Sequence, residues 1–120
     1  MTPMGDLLMM LPFNLRREHS REFGSWLRRN EPTIRKKMPP GATYVGMFAS
    51  SFGTGRSDAV LMIEFSDYRD LDVWRESNDP EMAKLLGEFY AFTDGGIRDS
   101  AILERGPRGF ESVRRSSQRR

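Results

Sequence analysis

Leu7-Leu8-Met9-Met10-Leu11-Pro12-Phe13 and Asp58-Ala59-Val60-Leu61-Met62-Ile63-Glu64-Phe65 are the two stretches that decide the fold. Both are short apolar runs, which predicts strands. Successive side chains of a strand point to opposite faces, so Leu7, Met9, Leu11 and Phe13 share one side while Leu8 and Met10 share the other. Likewise Leu61, Ile63 and Phe65 oppose Val60 and Met62. Thr43 to Phe52 repeats the pattern, with Tyr44, Phe48 and Phe52 alternating with Val45 and Met47. An antiparallel sheet with one wet face alternates apolar with polar residues. A sheet apolar on both sides needs two covers, and this chain has too few helices for both. The expected second cover is another subunit.

Working outward, Asn14 stands where an N-cap would open a helix running to about Lys37. Within it Phe23, Trp26, Leu27, Ile34 and Met38 recur at helical spacing as one apolar stripe. Pro32 should start a new turn or kink this helix, and Pro39-Pro40-Gly41 ends it. Gly53-Thr54-Gly55-Arg56-Ser57-Asp58 separates the two middle strands as a hairpin loop. Ser66 or Asp67 opens a short helix through Trp74. Asn78 and Glu81, at capping-box spacing around Pro80, restart it. Met82, Leu85, Leu86, Phe89, Tyr90 and Phe92 form the apolar side of this second part, Asp94-Gly95-Gly96 stops it, and Ser100 to Glu104 is the last strand. The expected fold class is therefore α+β, a ferredoxin-like β-α-β-β-α-β with a four-stranded antiparallel sheet and both helices on one face. Charge agrees with placing the helices side by side. Residues 15 to 37 hold eight Arg or Lys against three Glu, and residues 67 to 94 hold eight Asp or Glu against three Arg or Lys.

The 120 residues suit one domain with one modest core. The chain has no cysteine, which excludes disulfides, thiol catalysis and thiolate metal sites. A cytoplasmic location is the expectation. The run Leu7 to Phe13 follows Asp6 and contains Pro12, so it reads as neither a signal peptide nor a membrane span. Net charge is +2, but the last sixteen residues, with six Arg against Glu111, carry +5. The expected division is a domain over residues 1–106 and a basic, disordered tail over 107–120. Such a tail is a solubilising terminus or a contact for an acidic partner such as nucleic acid. The lack of an RNP1 pattern in Asp58 to Phe65 argues against RNA recognition by the sheet.

The β-α-β-β-α-β pattern, the doubly apolar sheet, and the segment from Phe65-Ser66-Asp67 to Trp74-Arg75-Glu76-Ser77-Asn78-Asp79-Pro80 together resemble the dimeric α/β-barrel superfamily. The resemblance covers roughly residues 5 to 105. That superfamily includes small antibiotic-biosynthesis-type monooxygenases, muconolactone isomerase-like proteins and stress-responsive proteins. It implies two sheets packed face to face across a two-fold axis, with a pocket between sheet and helices in each subunit. In the related cofactor-independent monooxygenases an electron-rich substrate reduces oxygen itself, with Trp, Asn and His-type residues nearby. Trp74, Asn78 and His19 are the available counterparts here.

Among the residues themselves, His19 is the sole histidine. It lies one helical turn before Phe23, so it is either a base at a pocket mouth or an ordinary surface histidine. Glu64 is the one charge inside the run Ala59 to Phe65; it is either a pocket base or half of a salt bridge. Trp26, Tyr44, Phe48, Met62, Trp74, Asn78 and Phe89 are the candidate substrate contacts, a set suited to a flat apolar or aromatic molecule. No cofactor motif is present, and one histidine defines no metal site. The expected protein is thus a homodimer that binds a small apolar or aromatic molecule, as a cofactor-independent monooxygenase or as a non-catalytic sensing or dimerisation module.

Overall fold

The computed structural model describes residues 5–50, 57–97, 99–107 and 109. Strand β1 (Leu7–Leu15) leads through one turn of 3-10 helix (Arg17–His19) into helix α1 (Ser20–Lys36). Strands β2 (Ala42–Ala49) and β3 (Ala59–Phe65) follow, then helices α2 (Tyr68–Arg75) and α3 (Pro80–Phe92), and finally strands β4 (Thr93–Ile97) and β5 (Ala101–Glu104). The sheet is mixed with three helices into an α+β fold and is antiparallel throughout, in the order β2-β3-β1-β4, with β5 also paired to β1. Phe52, the turn Gly53 to Arg56, and most of the basic tail lie outside the described residues.

The sheet has five strands where the sequence suggests four. Asp94-Gly95-Gly96, expected to stop the last helix, instead lies within β4, because Thr93 already leaves the helix with extended backbone. Gly95 and Gly96 take left-handed φ values of +87° and +72°, and Asp99 takes +54°, so the outer strand bends and is split in two. β4 pairs the end of β1 near Phe13 and Leu15, while β5 pairs its beginning from Leu7 to Met10.

Two caps also differ from expectation. Asn14 belongs to β1, and its side-chain oxygen accepts the Asp58 N–H at 2.8 Å, so it ties β1 to the start of β3 rather than capping α1. Asp79, not Asn78, caps α3, accepting the N–H groups of Glu81 and Met82 at 2.9 and 3.1 Å. Pro80 then occupies the first helical position, where its missing N–H costs nothing. Asp67 and Asp70 make a reciprocal capping box on α2. Gly41, with φ +86°, is needed where β2 begins, because any side chain there would collide with the Asp70 carboxylate.

The helices cover one face of the sheet. Under them Leu7, Met9, Leu11, Phe13, Leu61, Ile63 and Phe65 are buried. Phe13 is the junction of three elements: its ring lies 5.9 Å from Phe23 of α1 and 4.8 Å from Phe89 of α3, both edge-to-face. Such geometry adds to the area each ring buries.

Among the described residues no helix of the sheet-covering layer lies on the opposite face. Leu8, Met10 and Pro12 of β1 and Val60, Met62 and Glu64 of β3 are only half-buried there, and Phe48 and Leu103 are each 47% exposed. Replacing Phe13 by Ala should destabilise the fold by about 3–5 kcal/mol, since the void would sit among three packed elements. Urea denaturation followed by circular dichroism measures this.

Candidate functional site

Between the helices and the covered face of the sheet lies a cavity of about 70 Å³. A single water needs roughly 10–15 Å³ by such a measure, so the space exceeds one solvent molecule and is about half the roughly 150 Å³ of an engineered apolar cavity that accepts benzene. Tyr44, Met47, Leu61 and Ile63 form its floor; Trp26, Ile34 and Met38 form one wall, and Trp74, Met82, Leu85, Leu86 and Phe89 close it from α2 and α3. The lining is nearly all carbon and sulfur. Methionines at three positions make the wall adaptable in shape.

The polar tips of two lining residues are already engaged. Tyr44 donates its hydroxyl to Glu31 Oε2 at 2.7 Å, and the Arg35 guanidinium lies 5.4 Å from the Tyr44 ring centre. Trp26 donates its indole N–H to Glu88 Oε2 at 3.1 Å. Burial, reinforced by the Glu31 carboxylate, holds the Tyr44 phenol well above its ordinary pKa. At the end of the cavity nearest Met38, Lys37 reaches both Asp79 and Glu81 of α3 at 3.0 Å. Here the opposite charges of the two helical segments meet. The Lys37 ammonium holds the Asp79 carboxyl below its ordinary range, and the two carboxylates hold Lys37 above its own.

The structure brings together four of the nine residues singled out from sequence: Trp26, Tyr44, Trp74 and Phe89. Phe48 and Met62 lie on the far side of the sheet. Met62 is there by the regular alternation of β3, opposite Leu61 and Ile63; Phe48 is there because of a bulge in β2, where Tyr44 pairs Ile63 and Gly46 pairs Met62, leaving Val45 as an extra residue, with Gly46 at φ +151°. Beyond the bulge the alternation is inverted, so Met47 takes the floor of the cavity and Phe48 pairs Val60 on the open face. A glycine within an otherwise apolar strand is the signal that marks such a bulge.

Glu64 also lies on the open face, between Leu8 and Thr43 on its neighbouring strands, where it accepts the Gly5 N–H at 3.4 Å. Asn78 is exposed in the link between α2 and α3. His19 is in the 3-10 turn, its Nδ1 3.2 Å from Glu22 and its ring 6.4 Å from Phe92, so the aromatic cluster stands between it and the cavity. Glu31 and Glu88, which sequence reasoning passed over, are the charged groups bonded to the cavity wall. Only the fold reveals this, since Glu31 is 13 residues from Tyr44 and Glu88 is 62 from Trp26. Among the described residues no group of three or more His, Asp or Glu is placed to hold a metal ion, and no helix is long and apolar enough to cross a membrane.

No protein-family profile and no curated protein sequence matches the chain. Solved structures do. An uncharacterized NIPSNAP domain protein from Burkholderia xenovorans superposes with a TM-score of 0.67 at 18% identity, over 84% of this chain and 95% of that one. A NIPSNAP family protein from Agrobacterium tumefaciens gives 0.67 at 12% identity, over 89% and 91%. MupZ from Pseudomonas fluorescens gives 0.53 at 19% identity, over 97% and 80%. At these identities the likeness is one of fold: this chain shares the α+β architecture of NIPSNAP-family proteins.

Two titrations follow from the site. Tyr44 should remain protonated at about pH 10, where a free phenol is half ionised. Difference absorbance near the phenolate band should therefore be the same for the native protein and a Tyr44→Phe variant until the chain unfolds. Asp79 gives the other. Its folded pKa is depressed, so its stabilisation is complete above the unfolded value of about 3.9 and is lost as pH falls through the folded value. Asp79→Asn keeps a good cap but has no such dependence. Between about pH 5 and about pH 2 its melting temperature should fall less than that of the native protein.

Proposed function

We propose that this chain is a cytoplasmic, ferredoxin-like domain that dimerises through its open sheet face into an α/β barrel and binds a small apolar or aromatic molecule under its helices. The observation that carries the binding half is the apolar cavity walled by Trp26, Tyr44, Trp74 and Phe89. Sites of this kind bind by excluding water from an apolar surface, with few polar groups to orient the ligand. The dimer half rests on the face opposite helices α1 to α3, where Leu8, Met10, Pro12, Phe48, Val60, Met62 and Leu103 share the sheet surface with Glu64. Sheets pack face to face about 10 Å apart, and a two-fold axis would set this patch against its own copy.

Binding is favoured over catalysis by acid and base. His19, Glu64 and Asn78 all lie away from the cavity, and the phenol of Tyr44 is held neutral. A cofactor-independent monooxygenase would need no such base where the substrate itself reduces oxygen. For that reading an apolar, aromatic lining is the favourable feature. Consumption of oxygen by the purified protein with an electron-rich aromatic substrate, abolished when Leu85→Trp fills the cavity, is the outcome that distinguishes an oxygenase from a binder.

Sedimentation and native mass spectrometry test the whole reading. The native protein should be a dimer at micromolar concentration and retain a small apolar mass. Met62→Glu, which sets a carboxylate at the middle of the proposed interface, should weaken association by about a hundredfold or more, given the several kcal/mol for an unpaired buried charge. A monomeric native protein would overturn the dimer. Leu85→Trp should lose the retained mass and stay dimeric.

A further inference from the structure

Helices α1 and α3 run antiparallel, and they are joined at their two ends by different means. At one end the contact is aromatic: Phe23 lies 6.0 Å from Phe89 and 5.5 Å from Phe92, and Trp26 lies 5.9 Å from Phe92. At the other end Lys37 Nζ, just past α1, meets Asp79 Oδ2 and Glu81 Oε2 at the start of α3, each at 3.0 Å. Between these two junctions Ile34 and Met38 face the cavity from one side, and Met82 and Leu85 from the other. Burial along the lining shows where the cavity opens. Ile34, Tyr44, Ile63 and Phe89 are buried, whereas Met38, Met47, Trp74 and Met82 are half-buried and Leu86 is 48% exposed. The mouth lies among the latter group. Lys37 is the chain neighbour of Met38, Glu81 is that of Met82, and Asp79 accepts the Met82 N–H. The ion pairs thus tie one side of the mouth to the other.

We infer that Lys37, Asp79 and Glu81 form a latch across this mouth and so determine the size of molecule the cavity admits. With the latch closed the space is about 70 Å³, about half the roughly 150 Å³ that accepts benzene. A single aromatic ring therefore enters only when the start of α3 draws away from the end of α1, with the aromatic cluster as the hinge. Separation is easiest at the latch, because a partly exposed ion pair contributes modestly, whereas parting the rings would return buried apolar surface to water. The open form is then a minor population, and the apparent affinity for any ligand too large for the closed space is reduced by that fraction. A ligand small enough for the closed space binds both forms alike and is indifferent to the latch. This inference rests on the cavity being a ligand site, as proposed above, and goes beyond it by naming what controls the aperture.

Two apolar probes of different size separate the cases: xenon, the smaller, followed by its nuclear resonance shift, and benzene, followed by calorimetric titration of the full chain. Lys37→Met removes the charge and keeps the apolar stem. It should raise the affinity for benzene about fivefold and leave that for xenon unchanged. Glu81→Gln removes one ion pair without touching the Asp79 cap, and should give a smaller gain in the same direction. Salt screens the latch, so between about 0.05 M and about 0.5 M the ratio of benzene to xenon affinity should rise in the native protein and stay constant in Lys37→Met. Leu85→Trp should abolish both signals, which ties them to this cavity. A ratio that is the same in the native protein and both variants would overturn the latch while leaving the cavity a binding site. No binding of either probe by any of these proteins would overturn the cavity reading itself.

Discussion

The double-sided apolar character of β1 is the constraint on which the rest of the structure depends. It is hydrogen-bonded along both edges, to β3 on one side and to β4 and β5 on the other, so it has no edge facing water. Its inner side chains, Leu7 to Phe13, define where the helices must sit, because burial of such residues is the largest favourable contribution available to a chain of this size. Phe13 fixes that placement most directly, meeting α1 through Phe23 and α3 through Phe89. Its outer side chains, Leu8 to Pro12, receive no such cover from helices α1 to α3. One strand therefore governs both the internal core and the outward disposition of the molecule.

The cavity follows from how the helices are spaced over that strand. The aromatic residues near Phe13 pack closely, with Phe23 stacked on Trp26 at 5.7 Å and Phe92 5.5 Å from Phe23. Away from this cluster, toward β2, helix α2 is short and separated from α3 by the link at Glu76 to Asp79, and the side chains there are long and flexible methionines and leucines. Packing is thus dense at one end of the helical layer and incomplete at the other. Lys37, at the end of α1, bridges to Asp79 and Glu81 at the start of α3, beside the incomplete end. Partly exposed ion pairs contribute modestly, so this bridge orients the helices more than it stabilises them.

The elements most legible in the sequence were those with an uninterrupted physical signal. The alternation in β1 and β3, and the helical stripe of Phe23, Trp26 and Ile34, correspond to the buried positions observed. The positions that escaped were those where a local backbone feature reverses the pattern. Val45 and Gly46 show this best: one extra residue inverts the faces of β2, moving Met47 inward and Phe48 outward. At the C-terminal end, Asp94-Gly95-Gly96 reads as a helix stop, but Thr93 already leaves the helix and the three residues lie in a strand whose pairing partner, β1, is more than seventy residues distant. The carboxylates of Glu31 and Glu88 had no local signature, since a glutamate on a helix is ordinary until tertiary structure brings an indole or a phenol to it.

Both outermost strands of the sheet are irregular. β2 carries the bulge at Gly46, and the opposite margin is divided between β4 and β5 by left-handed residues at Gly95, Gly96 and Asp99. A straight outer strand offers a ladder of unpaired N–H and C=O groups to any extended chain it meets, and so invites open-ended growth of the sheet into fibres. Here the ladder is broken on each margin. Continuous addition of strands at either margin is thereby discouraged, and growth of the sheet stops at the chain's own strands.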